Sequence, residues 1–491
     1  MKTAIVPARA RRQRALVVLF VVLFAASQAL LWFAYYGHGA KALIGDEANY
    51  QASALAILGG GAWMPSTIWP PLQPLLLAAI YAIFGVHLLA AQIAQTLLFV
   101  ASAALLRDLW RRLGGSVAAA NTAAALFLLN PATAAYAHWL WPEIPHLFLI
   151  LAVFWLLARP LSRLGSFMAG ACVGLGLLAK SLLAAFWPLF LIAFVRREKP
   201  RVLSGPAAMF LCGLALITAP ALMHGWRTVG KPMIADSSVY NLWVGLTDRW
   251  RSDYVADMGG VTLPAFLASG ATPQQRNAVY LEKVRALVAA RGIVDVLANQ
   301  FGRQYFRLFS AKTPLLSQLP GPVCAGHLSV YTSGPWLTRA LITLNDLFHA
   351  LTLAAGAFGI ACWRRRPDRI LALIALFFAY QLALLLLIHV KARFLLPLIP
   401  FLCGFGGSFL VALRDVLPLS RWARVRVEDQ RSSFPRASPQ PLFPTGTSFG
   451  RRRESGNIGL TPIRLAAGVL LAMLLLFLAF AGPALDHLCA R

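Results

Sequence analysis

Residues 45–85 read GDEANYQASALAILGGGAWMPSTIWPPLQPLLLAAIYAIFG, and this stretch decides the fold. Two adjacent acids, Asp46 and Glu47, open an amphipathic helical pattern that ends at three glycines. A Trp-Pro-Pro hinge at 69–71 then leads back into apolar sequence. Because charge beside lipid is costly, two acids in this position indicate chemistry at a membrane face.

The composition on either side of this stretch is that of a membrane protein. Of the 491 residues, 59% are hydrophobic and 13% are charged, whereas a soluble domain has roughly 25% charged residues. The apolar runs are long and lack period-2 alternation, which favours helices over a barrel. Spanning helices also satisfy their own backbone hydrogen bonds. The sequence therefore predicts an all-α polytopic membrane protein.

The net charge of +27, from 45 Lys and Arg against 18 Asp and Glu, is distributed unevenly. Its basic clusters lie in short loops, at 9–14, 107–112, 196–201 and 364–366. They alternate with loops almost free of Lys and Arg, as the positive-inside rule predicts. This pattern indicates contact with anionic membrane lipids on the cytoplasmic side. It excludes nucleic acid as the partner.

We predict about eleven spans, at roughly 20 apolar residues per crossing. They lie near 15–36, 87–106, 116–135, 144–158, 165–180, 182–195, 204–223, 340–362, 370–388, 394–413 and 463–483. The charge rule places the N-terminus inside and the C-terminus outside. The outer segments are then 37–86, 136–143, 224–339 and 389–393.

The chain divides into three predicted regions. Residues 1–413 form the transmembrane core, with interfacial helices in the outer loop 37–86 and a long outer segment, 224–339, before the eighth span. Residues 414–462 are basic and rich in Pro and Ser, which predicts a disordered cytoplasmic linker. Residues 463–491 form the last spanning helix and an outer tail.

The outer segment 224–339 is too long for a connecting loop. Its middle has apolar residues three and four apart, and Thr272 followed by Pro273 is typical of a helix start. We expect one or two amphipathic helices that cover an outer site.

Asp46 has two interpretations that are compatible. As the N-cap of the helix it would accept backbone hydrogen bonds, with Glu47 in the first turn favoured by the helix dipole. As a general base it would take a proton from an acceptor hydroxyl. Capping would fix the carboxylate of Asp46 in one position, so the same side chain could both cap the helix and act as the base.

A second polar cluster occurs in AHWLWPEIPHL, residues 137–147. Glu143 and His146 are three apart and, with His138, could hold a metal. Pro142 and Pro145 break the helix on which that spacing depends, so we favour Glu143 alone, directed into an outer cavity. A divalent metal ion stays open as a cofactor, and no metal ligand is assigned.

Three cations lie beside apolar runs. Lys180 stands between two such runs, where a Lys must snorkel, pair or serve a function. Lys391 and Arg393 precede a span on the predicted outer side, against the charge rule. Arg393 is the stronger phosphate-binding candidate because its fork matches phosphate oxygens.

Aromatic and amide side chains complete the candidate set. Trp69 in the hinge and Tyr50, one turn after Asp46, are candidate substrate contacts. Tyr240 and Asn241, in SSVYNLWVGLTDRW, form an aromatic and amide pair that suits a sugar ring. Interfacial belt aromatics are the alternative for these positions.

Five blocks together resemble the GT-C membrane glycosyltransferases, in the group of protein O-mannosyltransferases and the aminoarabinose transferases that modify lipid A. They are GDEANYQASALAILGGG, PPLQPLLLAAIYAIFG, GLGLLAKSLLAAFWPLF, VYNLWVGLTDRW and KARFLLPLIPF, across about residues 10–410. The sequence departs from the aminoarabinose transferases at Trp69, where they have a Lys before the two prolines.

The resemblance implies a GT-C fold and transfer of a sugar from a polyprenyl-phosphate donor to a lipid, glycan or protein acceptor. It implies inversion at the anomeric carbon and a site on the outer face of a bacterial inner (plasma) membrane. Asp46 would be the catalytic base with Glu47 in support, Glu143 the second acid, and Arg393 the phosphate-binding cation with Lys180. A polytopic transporter or lipid flippase is the alternative, which predicts acids or broken helices at mid-membrane.

Overall fold

The computed structural model describes residues 18–29, 43, 45–195, 204–247, 251, 258–311, 336–364, 368–416 and 458–489, and they are predominantly helical. Its α-helices are α1 (Val18–Ala29), α2 (Asp46–Leu58), α3 (Leu72–Phe84), α4 (Leu88–Arg112), α5 (Val117–Leu129), α6 (Pro131–Ala135), α7 (Glu143–Leu157), α8 (Arg163–Ala179), α9 (Ser204–Val229), α10 (Ser238–Thr247), α11 (Met258–Ala268), α12 (Pro273–Arg291), α13 (Ile293–Phe309), α14 (Trp336–Ala361), α15 (Arg369–Leu387), α16 (Ile399–Val416) and α17 (Pro462–Cys489).

Within the described ranges, six helical stretches are long and apolar enough to cross a membrane: Leu88–Arg112, Ser204–Val229, Arg339–Ala361, Arg369–Leu387, Ala392–Val416 and Pro462–Gly482. A seventh is obtained if Val117–Leu129 and Pro131–His138, bent by 56° at Asn130, count as one span. The all-α polytopic architecture is therefore confirmed. The count of about eleven stays a prediction, since α1, α7 and α8 are apolar but shorter.

Two predicted spans begin or continue as 3₁₀ helices instead of α-helices. The span 182–195 consists of Ser181–Leu183 and Trp187–Phe194, with Pro188 at the start of the second. The span 394–413 opens as Ala392–Leu398, which contains Pro397, and becomes α-helical only from Ile399. Proline has no backbone N–H to donate, so the tighter 3₁₀ turn is favoured at both places.

The predicted disordered linker, 414–462, lies almost wholly outside the described residues. Its described parts are the end of α16 and the residues from Ile458 that lead into α17. The three-region division of the chain stays a prediction.

The outer loop forms the two predicted helices. The prolines at 70 and 71 precede α3, which then packs on α2: Tyr50 and Ala54 contact Leu77 and Tyr81. Asp46 is not the N-cap. Gly45 takes that position with φ 60°, and Asp46 is the first helical residue, so its carboxylate is not used in a side-chain cap.

The described part of the outer segment contains the helices α10 to α13, of which α13 is strongly amphipathic, as its pattern predicts. Thr272 and Gln275 form a capping box at the start of α12, as the Thr-Pro pair predicts. Gly292, with φ 79°, separates α12 from α13. α13 contacts the helical body, since Tyr305 donates to Leu382 O at 3.1 Å, and it contacts α10 through Gln304, which donates to Gly245 O at 3.0 Å. Tyr280 of α12 packs with Tyr240 and Val244 of α10.

Glycines allow the helices of the body to approach closely. In α8, a Cβ at Gly170 would collide with the backbone of Phe210 in α9, and Gly213 of α9 is equally close to Phe167. In α16, Gly407 lies against the backbone of Ala119 in α5. Close backbone approach at small residues is how helices associate in lipid, where apolar burial against other helices gains little.

We expect Gly170→Ala to destabilise the protein by about 1–3 kcal/mol, because the added methyl forces α8 away from α9. Thermal unfolding of the purified protein in detergent measures this. Gly302→Ala is the matched control, since nothing lies within 4 Å of a Cβ there. Equal unfolding temperatures for the two variants would contradict this account of the packing.

Candidate active site

Four charged side chains from distant parts of the chain meet in one cluster. Asp46 Oδ2 lies 2.8 Å from an Arg393 terminal nitrogen, and Lys180 Nζ lies 2.7 Å from Glu143 Oε1. Glu143 Oε1 is also 3.5 Å from Arg393 Nε, so the two ion pairs are joined. The sequence predicted a role for each residue separately. The structure brings all four together.

The ends of helices position three of these charges. Asp46 and Glu143 are the first residues of α2 and α7, and Lys180 directly follows α8. The partial positive charge at a helix N-terminus favours a carboxylate, and the negative C-terminal end favours an ammonium. Arg393 comes from the 3₁₀ helix Ala392–Leu398. The helix ends thus favour the charge that each side chain carries.

Aromatic rings pack against the two cations. The Arg393 guanidinium lies 4.5 Å from the ring centre of Trp141, and Lys180 Nζ lies 4.9 Å from that of Phe394. Trp139 backs Trp141 with ring centres 4.4 Å apart. Such cation–π contacts strengthen when water is excluded, so the rings offset part of the cost of burying both cations. A planar guanidinium stacked in this way keeps its edge available for oxygen atoms.

The two acids differ in their access to solvent. The side chain of Glu143 is 1% exposed, whereas that of Asp46 is 30% exposed. Among the residues that the structure describes, three buried polar atoms of the cluster find no hydrogen-bond partner: Glu143 Oε2, Arg393 Nε and Trp141 Nε1. A polar ligand bound here would supply partners for them.

The charges of the cluster control the ionisation of the residues on α2. Burial alone would raise the pKa of the Asp46 carboxyl, but Arg393, with Lys391 and Lys180, holds that pKa below its ordinary value. Burial and the nearby carboxylates of Asp46 and Glu143 raise the pKa of Tyr50 well above its usual range. Asp46 is therefore an anion at neutral pH and Tyr50 a neutral phenol.

Glu47 points away from the ion cluster. Its side chain is fully buried and accepts a hydrogen bond from the Leu140 N–H at 2.9 Å. Leu140 belongs to the corner between the 3₁₀ turn Tyr136–His138 and α7, which leads to Trp141 and Glu143. The adjacent acids thus have different partners: Asp46 pairs with Arg393, whereas Glu47 bonds to the backbone that leads to Glu143.

Three glutamines hold the same corner. Gln73 Nε2 donates to Leu140 O at 3.0 Å, Gln92 Nε2 to His138 O at 2.8 Å, and Gln95 Nε2 to Trp139 O at 2.6 Å. All three are buried. They were not among the residues predicted from the sequence. Their signal is a polar residue within an apolar helical run, which in a membrane protein rarely occurs without a partner.

The remaining candidates lie around the cluster. Lys391 is close enough to Asp46 to help lower the pKa of its carboxyl. Asn241 accepts from the His389 N–H at 2.8 Å through its backbone oxygen, which fixes the segment before Arg393 to α10. Tyr240 and Trp69 pack in one apolar cluster with Ile68, so they connect the outer segment to the first loop.

The described residues contain no group of three or more His, Cys, Asp and Glu side chains that could hold a metal ion. His138 Nε2 instead lies 3.1 Å from Gln28 Oε1. His146 is buried on α7, three residues after Glu143. The predicted break at Pro142 and Pro145 was wrong, because Pro142 precedes α7 and Pro145 lies in its first turn, where a proline is tolerated. The two acids of the cluster are each engaged by a cation, so the geometry favours an anion as the ligand.

Comparison with known proteins gives one match in sequence. Residues 69–224 match the family model described as dolichyl-phosphate-mannose-protein mannosyltransferase. No curated protein shows a significant match. The predicted resemblance to protein O-mannosyltransferases is confirmed for this part of the chain, which includes Glu143 and Lys180. Asp46 precedes the matched residues and Arg393 follows them.

Two solved structures are similar at low identity. ArnT from Cupriavidus metallidurans, bound to undecaprenyl phosphate, is 15% identical with a TM-score of 0.37, over 81% of this chain and 78% of that one. The oligosaccharyltransferase of Archaeoglobus fulgidus in its apo form is 13% identical with a TM-score of 0.41, over 94% of this chain and 55% of that one.

The fold and the sequence match together define a class. The chain is a multi-pass helical membrane protein with a charged cluster formed from four separate segments. Over residues 69–224 it is similar to dolichyl-phosphate-mannose-protein mannosyltransferases.

The buried pair of Lys180 and Glu143 gives a test of the cluster. Lys180→Met leaves Glu143 with only the longer contact to Arg393, and we expect it to destabilise the protein by about 3 kcal/mol. Adding Glu143→Gln should restore most of this loss, because no buried charge is then left unpaired.

Thermal unfolding in detergent measures both variants. Arg285→Met is the control, since its pair with Glu282 is 3.7 Å long and largely exposed, and such pairs contribute about 0–1 kcal/mol. A Lys180→Met protein that unfolds at the wild-type temperature would show that the pair does not hold Glu143.

Proposed function

We propose that this protein is a membrane glycosyltransferase that moves a sugar from a polyprenyl-phosphate donor to a hydroxyl of a lipid, glycan or protein acceptor. The observation that carries the proposal is the ion cluster, in which Lys180 and Arg393 both contact the same oxygen of Glu143. Two adjacent cations, one of them a guanidinium, suit a phosphate. The sequence match to a mannosyltransferase family supports the same class of donor.

In the proposed reaction the donor phosphate binds at Arg393 and Lys180, with its sugar toward Asp46. The acceptor oxygen attacks the anomeric carbon and its proton passes to the Asp46 carboxylate. The bond from the anomeric carbon to the phosphate oxygen breaks, and its electron pair stays on the phosphate. The two cations stabilise the charge that grows there. Attack opposite the leaving group gives inversion.

Glu143 has a positioning role in this scheme. It holds Lys180 and contacts Arg393 from a position closed to solvent, so the cations are fixed before the donor arrives. Preorganised charge of this kind costs no rearrangement during the reaction. Glu47 acts one step further away, because it holds the corner that leads to Glu143.

The proposed site is on the outer face of a bacterial inner membrane. The support is the distribution of charge. Arg112, in the basic loop 107–112, and Arg159, between α7 and α8, both lie over Trp155. Glu143 begins α7 and Lys180 follows α8, at the other ends of these helices. Labelling of a cysteine introduced beside Asp46 with a membrane-impermeant reagent tests the side.

No metal is required in this scheme. A divalent ion bound to Asp46 or Glu143 would lie beside Arg393 and Lys180, whose positive charges repel it. Donor turnover with and without a chelator tests this directly, and dependence on added Mg²⁺ or Mn²⁺ would revise the scheme.

A transporter or lipid flippase is the second candidate. The specific observation in its favour is the 56° break between α5 and α6 at Asn130, because broken helices form the binding sites of many transporters. The purified protein separates the two. Release of polyprenyl phosphate from a lipid-linked sugar supports the enzyme, whereas movement of the intact lipid in vesicles without release supports the transporter.

For Asp46→Asn we expect loss of transfer, with kcat at least about 10²–10⁴-fold lower, because the amide cannot accept the proton. Sugar transfer by the purified variant measures this, with membrane insertion checked in parallel. Asp295→Asn is the control, as its carboxylate pairs with Arg291 on the surface of the outer segment. Wild-type turnover by Asp46→Asn would remove Asp46 as the base.

For Arg393→Ala we expect donor affinity to fall about 10–100-fold, which corresponds to losing a charge-assisted hydrogen bond of about 1.5–3 kcal/mol. Binding of a polyprenyl-phosphate sugar by isothermal titration measures this. Arg291→Ala, which removes an arginine of the surface pair, should bind as the wild type does. Unchanged affinity in Arg393→Ala would count against the phosphate role.

A further inference from the structure

The carboxylate of Asp46 lies on a terminal nitrogen of Arg393, the side chain proposed above to bind the donor phosphate. Its Oδ2 is 2.8 Å from that nitrogen, and the guanidinium is already stacked on Trp141. A stacked guanidinium presents only its edge to oxygen atoms. A phosphate that binds this edge through two nitrogens therefore competes with Asp46 for the terminal one.

We propose that Asp46 closes the empty site by pairing with Arg393, and that the donor phosphate frees this base by displacing it. This inference rests on the proposed function and adds an order to it: the donor binds first, and the acceptor hydroxyl meets a free carboxylate only afterwards.

Of the two acids, Asp46 is the one that can be displaced. Its side chain is 30% exposed and lies at the start of α2, after a glycine at φ 60°. Glu143 is 1% exposed and contacts both cations, so its displacement would leave a carboxylate buried without a partner. A phosphate that arrives at Arg393 thus replaces the exposed carboxylate and keeps the buried one.

Displacement also changes the basicity of Asp46. While Arg393 is paired with it, the pKa of Asp46 is held low, and a weak base accepts a hydroxyl proton poorly. When the phosphate engages Arg393, that stabilisation of the carboxylate is reduced and Asp46 becomes more basic. After the polyprenyl phosphate leaves, Arg393 pairs with Asp46 again, and the proton taken from the acceptor passes to water.

The test is the affinity of the site for a short-chain polyprenyl monophosphate, which contains the phosphate and no sugar. Asp46→Asn and Asp46→Ala remove the competing carboxylate, so we expect both variants to bind this probe at least about fivefold more tightly than the wild type. Thermal unfolding and gel filtration show that each variant is folded. Equal or weaker binding by the two folded variants would overturn the inference.

Asp295→Asn is the control for charge, since it removes one negative charge from the outer segment without touching Arg393. Tightening in this variant as large as in Asp46→Asn would also overturn the inference, because net charge would then explain the effect. Failure of the proposed function gives a different result: the wild type, Asp46→Asn and Asp295→Asn would all fail to bind the probe, and the inference would fall with it.

Discussion

The structure depends on the pairing of Glu143 with Lys180 and Arg393. A carboxylate that is 1% exposed in a mostly apolar body is stable only when cations lie beside it. Those cations come from the end of α8 and from a segment more than two hundred residues later in the chain. The need to compensate one buried charge therefore fixes the relative positions of α7, α8 and the 3₁₀ helix that carries Arg393.

The uncharged backbone groups of the corner that leads to Glu143 also need partners, because they are buried. Between Tyr136 and Glu143 the backbone is not α-helical, so most of its carbonyls and N–H groups lack the partners that an α-helix supplies. Gln73, Gln92 and Gln95 donate to the carbonyls, and Glu47 accepts from the Leu140 N–H. Irregular backbone is tolerated inside a membrane protein only where other protein groups satisfy it.

Much of this site could be predicted from the sequence, because each charged residue is costly where it lies. Asp46, Glu143, Lys180 and Arg393 were all identified as candidates beside apolar runs, and the helices α2, α3, α12 and α13 follow from their patterns. The pairing of the charges could not be predicted, since it depends on how distant segments meet. A single sequence gives no measure of that distance.

Other predictions were limited by local backbone geometry. Asp46 was expected as a cap, but Gly45 adopts a positive φ that moves the helix start by one residue and leaves the carboxylate free for Arg393. The prolines at 188 and 397 turn expected α-helices into 3₁₀ helices. The glutamines of the corner were missed because they lie within otherwise ordinary apolar helices.

The described helices of the outer segment connect to the segment before Arg393 through hydrogen bonds to its backbone and through close packing. Asn241 O accepts from the His389 N–H, Gln300 donates to Leu386 O, and a Cβ at Gly245 would collide with Ile388 and His389. These contacts hold the residues that directly precede Lys391 and Arg393. A displaceable ion pair needs a guanidinium that stays in place while the carboxylate moves. The described helices of the outer segment therefore hold the segment of Arg393 in position. In the proposed displacement, Asp46 is the member of the ion pair that moves.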